Sequence, residues 1–106
     1  MRLKWRTNNP RNVVPLNRST VGAVSELRVC VDLASRGCEV YRALSPAAPC
    51  DLVVLSNGKL LRVEVKTGNR MASGKISWPI PKPGQIFEVL AVVTSDVIHY
   101  FPPDIL

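Results

Sequence analysis

Hydrophobic and polar positions divide this chain into stretches of different period. Across residues 21–36, apolar side chains recur at Val24, Leu27, Val31 and Ala34, the i, i+3, i+7, i+10 spacing of a helix stripe. Ser19-Thr20 ahead of the run is the expected N-cap, and Gly37 the left-handed stop. The run is apolar around much of its circumference, which predicts a well-buried helix. Glu26 interrupts that surface, and Gly22, one turn earlier, leaves room beside it. Strand patterns follow at residues 38–44, 51–56, 59–67, 87–94 and 97–101. Residues 87–94 (FEVLAVVT) are almost continuously apolar, as in a central strand covered on both faces. Residues 68–85 are rich in Gly, Pro, Ser and Lys and read as a long loop, with a short extended stretch at 76–80. The expected fold class is α/β (α+β), with one mixed sheet and a packed N-terminal helix.

Asn57-Gly58 sets the register of the second and third strands. A two-residue Asn-Gly turn between apolar runs is a strong hairpin signal, and it pairs Ser56 with Lys59. Following the ladder, Leu52 faces Val63 and Asp51 faces Glu64. Two carboxylates about 5 Å apart across a ladder repel one another and destabilise the sheet. Leu52, Val54, Leu61, Val63 and Val65 make an apolar core on the other face. A hard divalent cation, which prefers oxygen ligands, would cancel the repulsion. The alternative is a surface hairpin in which Lys66, two residues beyond Glu64 on the same face, screens both acids. Val53, Leu55 and Leu60 share the acidic face, so the helix is expected to cover it and to bring Glu26 near as a third carboxylate.

Charge changes the picture next. The 106 residues carry a formal net charge of +6, and the bases fall in two blocks. Residues 1–18 hold Arg2, Lys4, Arg6, Arg11 and Arg18 with no acid, and residues 59–82 hold six bases and one acid. Such blocks suit a polyanionic partner, because each cation near a phosphate releases counterions, although a basic arm also keeps a small protein soluble. Residues 1–18 show no sustained period and read as a basic arm, leaving 19–106 as a single domain. No apolar run approaches the ~18 residues of a membrane span, and no apolar segment follows the N-terminal charges as in a secretory signal. Three cysteines without C-x-x-C spacing and one histidine argue against a disulfide framework or a zinc site, and for a cytoplasmic protein.

Glu26 in the first helix with Gly22 before it, Asp51 after Pro49-Cys50, and Glu64-Val65-Lys66 on the third strand together resemble the PD-(D/E)XK nuclease superfamily. The flow RVEVKTG, FEVLAVV and IHYFP is similar to the small Holliday junction resolvase-like and group I intron homing endonuclease-like members. One residue, Cys50, separates the proline from the aspartate. The resemblance implies a restriction-endonuclease-like core with a mixed sheet of four to five strands. It also implies a metal-dependent DNA endonuclease acting as a homodimer or higher homo-oligomer and leaving a 5′-phosphate and a 3′-hydroxyl. In that reading Asp51, Glu64 and the Val65 carbonyl hold Mg²⁺ (Mn²⁺ as substitute), with Glu26 bound directly or through water. Lys66 then orients the attacking water or neutralises the transition state. Thr67, Arg70 and Lys75 follow the site and are candidate phosphate contacts, as are the bases of the arm. Trp78 is either a base-stacking residue or packing, and His99 and Cys50 read as structural. Two rival readings are a catalytically weak nucleic-acid-binding module of the same fold and a partner-binding or assembly protein. The intact Glu26, Asp51, Glu64, Lys66 set argues against the first of these.

Overall fold

The computed structural model describes residues 14–106; Arg2, Lys4, Arg6 and Arg11 of the basic arm, and Trp5, lie outside the described residues. Helix α1 spans Arg18–Ser35. Its N-cap is Asn17, whose side-chain oxygen accepts from the Thr20 amide at 2.9 Å, so the helix starts ahead of the expected Ser19-Thr20 cap. An Asn there satisfies one of the orphan amides of the first turn, worth about 1 kcal/mol. At the other end Gly37 takes φ +90°, with Cys38 N–H bonding to Leu33 O and Gly37 N–H to Ala34 O. That is the two-bond Schellman stop, and Gly supplies the left-handed residue without steric cost.

Five strands form one mixed sheet in the order β1 (Glu39–Arg42), β2 (Leu52–Ser56), β3 (Lys59–Thr67), β6 (Val89–Val93), β7 (Ile98–Phe101). β3 and β6 are parallel and every other neighbouring pair is antiparallel. Parallel neighbours need a long crossover. Here residues 68–88 supply it and fold a hairpin of their own, β4 (Asn69–Arg70) against β5 (Ile76–Ser77). The turn between β2 and β3 has positive φ at Asn57 and Gly58, as a type I′ turn requires, and Ser56 pairs with Lys59 and Leu52 with Val63.

The helix packs on the face of the sheet opposite the acids. Val29 and Leu33 join Leu52, Val54, Leu61, Val63, Val89, Ala91, Val93 and Tyr100 in one buried core. This corrects two expectations. The stripe of Val24, Leu27, Val31 and Ala34 does not face the sheet; Ser25, Val29 and Leu33 do. The acidic face is covered by the crossover instead of by α1. A Cβ on Gly68 would meet Val92 Cγ1 at 2.6 Å and Ile76 Cγ2 at 3.1 Å, so only glycine lets the hairpin come down on the sheet there. Further along, Trp78 stacks on Phe101 with ring centroids 5.6 Å apart. Gly22 has no comparable role, since an added Cβ meets nothing within 4 Å among the described residues. With a cover on each side, β6 is buried at Val89, Ala91, Val92 and Val93, which explains its nearly unbroken apolar run. Three polar contacts fix α1 on its face: Ser25 to Thr67, Arg28 to the Thr94 carbonyl, and Tyr100 to Asp32.

Candidate functional site

β2 and β3 separate where Asp51 precedes β2. The Asp51 amide still donates to Val63 O at 3.1 Å. Its side chain, however, reaches across to β3, where Oδ2 accepts from the Val65 amide at 2.8 Å. Asp51 is thus anchored by β3 backbone beside Glu64. Glu64 is 1% exposed, and neither of its carboxylate oxygens has a hydrogen-bond partner among the described residues. Burial first, and the Asp51 carboxylate second, raise the Glu64 pKa to about 8; the Lys66 ammonium pulls it back down. A buried carboxylate with no donor is unfavourable by itself. Two hard oxygen donors side by side, one wholly unpartnered, fit a divalent cation.

Glu26 comes from α1. It lines a cavity of about 300 Å³ together with Ser45, Cys50 and Asp51. Arg42 Nη2 lies 3.8 Å from its Oε1. Its pKa is raised by burial and by Asp51, and lowered again by Arg42. The structure therefore brings Asp51 and Glu64 together and places Glu26 in the wall of the same cavity as Asp51, where its charge is felt at Glu64. Among the described residues no three His, Cys, Asp or Glu side chains converge on one point as a preformed ligand set.

The other sequence candidates are placed as follows. Lys66 sits on β3 on the face of Glu64, opposite Val92 of β6. Val65 lies between them, its amide committed to Asp51. Thr67 Oγ1 lies 2.7 Å from Ser25 Oγ, tying β3 to the helix. Arg70 faces Asp96 at 3.5 Å, and Lys75 is exposed on the hairpin. Arg18 is exposed at the first position of α1. Trp78 is engaged with Phe101. The Cys50 thiol is buried, and burial raises its pKa, which suits packing better than nucleophilic chemistry. His99 Nε2 is buried and has no hydrogen-bond partner among the described residues.

Sequence reasoning missed Arg42, the counterion of Glu26, and the clamp between Arg62 and Glu88. Arg62 donates its amide (2.8 Å) and its guanidinium to the Glu88 carboxylate, and the Glu88 amide donates back to Arg62 O at 3.0 Å. The clamp closes the end of the β3–β6 pair two residues from Glu64. Alternation along β3 placed Arg62 on the acidic face, but no local signal names a partner 26 residues away.

Helix, mixed sheet and paired acids together have the layout of a restriction-endonuclease-like α+β fold. The PD-(D/E)XK endonuclease family model matches residues 16–82, more than half of the chain, and the chain belongs to that family. Glu26, Asp51, Glu64 and Lys66 all fall within the match. The structure is similar to that of a bacterial homing endonuclease, I-Ssp6803I, at 20% identity and a TM-score of 0.66, over 83% of this chain and 70% of the other. That likeness shows the fold. No curated protein matches the chain in sequence. Among the described residues no helix is long and apolar enough to cross a membrane.

Proposed function

We propose that this chain is a divalent-metal-dependent DNA endonuclease, with Asp51 and Glu64 holding the ion and Glu26 and Lys66 completing the site. The observation that carries the reading is the buried, unpartnered Glu64 carboxylate beside the backbone-anchored Asp51. The Val65 carbonyl, between Glu64 and Lys66 on β3, is the backbone oxygen assigned to join them. When bound, Mg²⁺ or Mn²⁺ supplies a water of lowered pKa and polarises the scissile phosphate.

The chain's own residues do the rest. Val65 holds Asp51 in one orientation. Lys66 presents an ammonium on the acid face, where it stabilises charge growing on the phosphoryl oxygens and orients the attacking water. Glu26, in the wall of the cavity that Asp51 also lines, accepts a hydrogen bond from water entering beside Asp51. Arg70 and Lys75 on the hairpin, and the bases of residues 1–18, supply phosphate contacts that position DNA without choosing sequence. Cutting both strands takes two such sites, so the active form is at least a homodimer. A homing-endonuclease-like or resolvase-like substrate is the corresponding choice of DNA. The test is nicking of supercoiled plasmid with Mg²⁺ or Mn²⁺, with EDTA and with Asp51→Ala as controls. Cleavage that needs the ion and Asp51 supports the reading, and wild-type protein that leaves the plasmid intact with either ion overturns it.

A further inference from the structure

Helix α1 has two apolar faces. Ser25, Val29 and Leu33 lie on the sheet. Val24, Leu27, Val31 and Ala34 point the other way, roughly half a turn of the helix from the first set. Val24 is 41%, Leu27 49% and Val31 67% exposed. With Arg28, Asp32 and Ile98 these three line an open groove of about 450 Å³. A contiguous apolar stripe of this kind marks a contact surface.

We propose that the stripe is a twofold interface on which a second copy of this chain lays its own α1 antiparallel. The 3, 4, 3 spacing of the stripe is that of a coiled-coil seam, which is filled by a helix of matching spacing. Among the described residues α1 is the one helix that offers it. The spacing also reads the same in both directions. A twofold axis level with Val29 sets Leu27 against the partner's Val31 and Val24 against the partner's Ala34, larger against smaller in each layer.

Charge favours the same occupant. The whole chain is +6, so copies repel in general, but residues 18–35 hold two bases, Arg18 and Arg28, and two acids, Glu26 and Asp32. Antiparallel pairing brings like edges of the two helices together and sets each Arg28 within one turn of the partner's Asp32. Both side chains are already held in place, Arg28 by the Thr94 carbonyl and Asp32 by Tyr100. The interface rests on the helix and not on the reading of the acid pair.

The test reads mass alone, so its failure would leave the metal-dependent chemistry assigned to the acid pair standing and would bear only on how copies of the chain associate. Sedimentation equilibrium of the full chain should show a dimer. Leu27→Glu and Val31→Lys should each raise the dissociation constant by roughly 100-fold or more, as expected for a central apolar anchor, with unchanged far-ultraviolet circular dichroism. Mixing the two variants should restore a dimer, because the glutamate introduced in one chain then meets the lysine introduced in the other. A parallel pair would not bring them together. A wild-type chain that is monomeric at about 100 μM overturns the proposal, whether residues 1–13 or another protein covers the stripe. Single variants that stay dimeric, or a mixture that stays monomeric, overturn it as well.

Discussion

The Val65 amide donates to Oδ2 of Asp51 across the open end of the β2–β3 pair. A side chain takes the place of a ladder partner here, and its bond to the β3 backbone holds the aspartate in one orientation. Glu64, its neighbour, has no such support among the described residues. Replacing Asp51 therefore has two separable effects. Asp51→Asn keeps an acceptor for Val65 and removes the charge facing Glu64, so its melting temperature should stay within a few degrees of wild type. Asp51→Ala leaves a part-buried amide without a partner, a loss of about 1–3 kcal/mol. In a domain of this size that lowers the melting temperature by at least about 4 °C. Calorimetric titration with Mn²⁺ should show weakened binding in both. Equal destabilisation by the two variants would mean that the bond to Val65 does not hold Asp51.

Glu64 gives the metal-free protein an unusual pH dependence. Burial and Asp51 raise its pKa to about 8 in the folded state, against an ordinary 4.5. Between those values the folded chain holds a proton that the unfolded chain releases. The stabilising contribution is thus complete below the unfolded value and is lost as pH rises through about 8. Glu26 is shifted in the same direction and adds to the trend. Glu88 and Asp96 are shifted down, so their contributions are lost only in more acidic solution. The urea midpoint in EDTA should therefore fall from pH 6 to pH 8, and Glu64→Gln should remove most of the slope. Saturating Mg²⁺, which selects the ionised form, should flatten the profile for wild type, because folded and unfolded chains then both lack the Glu64 proton over this range. A flat profile in EDTA would place Glu64 in contact with water or a donor, contrary to its burial.

The basic arm should contribute affinity without sequence choice. Arg2, Lys4, Arg6 and Arg11 precede residue 14, whereas Asn17 and Arg18 belong to the start of α1. Deleting residues 1–13 keeps the helix cap, and deleting through residue 18 removes it. The shorter deletion should leave the melting temperature unchanged. It should also flatten the salt dependence of duplex binding, by about 0.9 in log–log slope for each phosphate the arm had neutralised. Fluorescence anisotropy across a salt series measures this. An unchanged slope would exclude the arm from the DNA contacts.

What could be seen in the sequence depended on how local each cause was. Asn57-Gly58 dictates its own turn geometry, so β3 and the register from Ser56–Lys59 to Leu52–Val63 followed from it. The ladder ends there, so Asp51 is not the ladder partner of Glu64; it comes beside Glu64 through the bond of its side chain to the Val65 amide. The helix was equally visible, but periodicity does not say which of two apolar stripes meets the sheet. Val24, Leu27, Val31 and Ala34 make the more apolar stripe, and the sheet takes the one containing Ser25. That hydroxyl finds Thr67, 42 residues away, where no local pattern reports it. The Arg62–Glu88 clamp and the Arg42–Glu26 pair are hidden for the same reason. The crossover reads as loop in the sequence because its cover of the acidic face depends on Gly68 approaching Val92, a contact between elements.

Lys66 should act in the chemical step and not in folding. Its side chain leaves β3 on the face of Glu64, two residues along, and its charge is felt there as a lowering of the Glu64 pKa. A phosphate arriving at the acid pair brings negative charge to the same place, and that charge increases in the transition state. Lys66→Met keeps most of the side-chain length and removes the ammonium. The variant should fold, bind Mn²⁺ and bind DNA with at most a modest loss. Its nicking rate should drop by roughly 100-fold or more, the scale of losing one preorganised electrostatic stabiliser. A second readout separates this from a structural role. Without the ammonium nothing opposes burial and Asp51 at Glu64, so the pH-dependent fall in metal-free stability should move to higher pH. A variant that shows that shift and still cleaves at the wild-type rate would make Lys66 a neighbour of the acids without a part in catalysis. If cleavage is lost and the shift is absent, the ammonium acts on the substrate from a position too far from Glu64 to influence it, and the geometry proposed for the site is wrong.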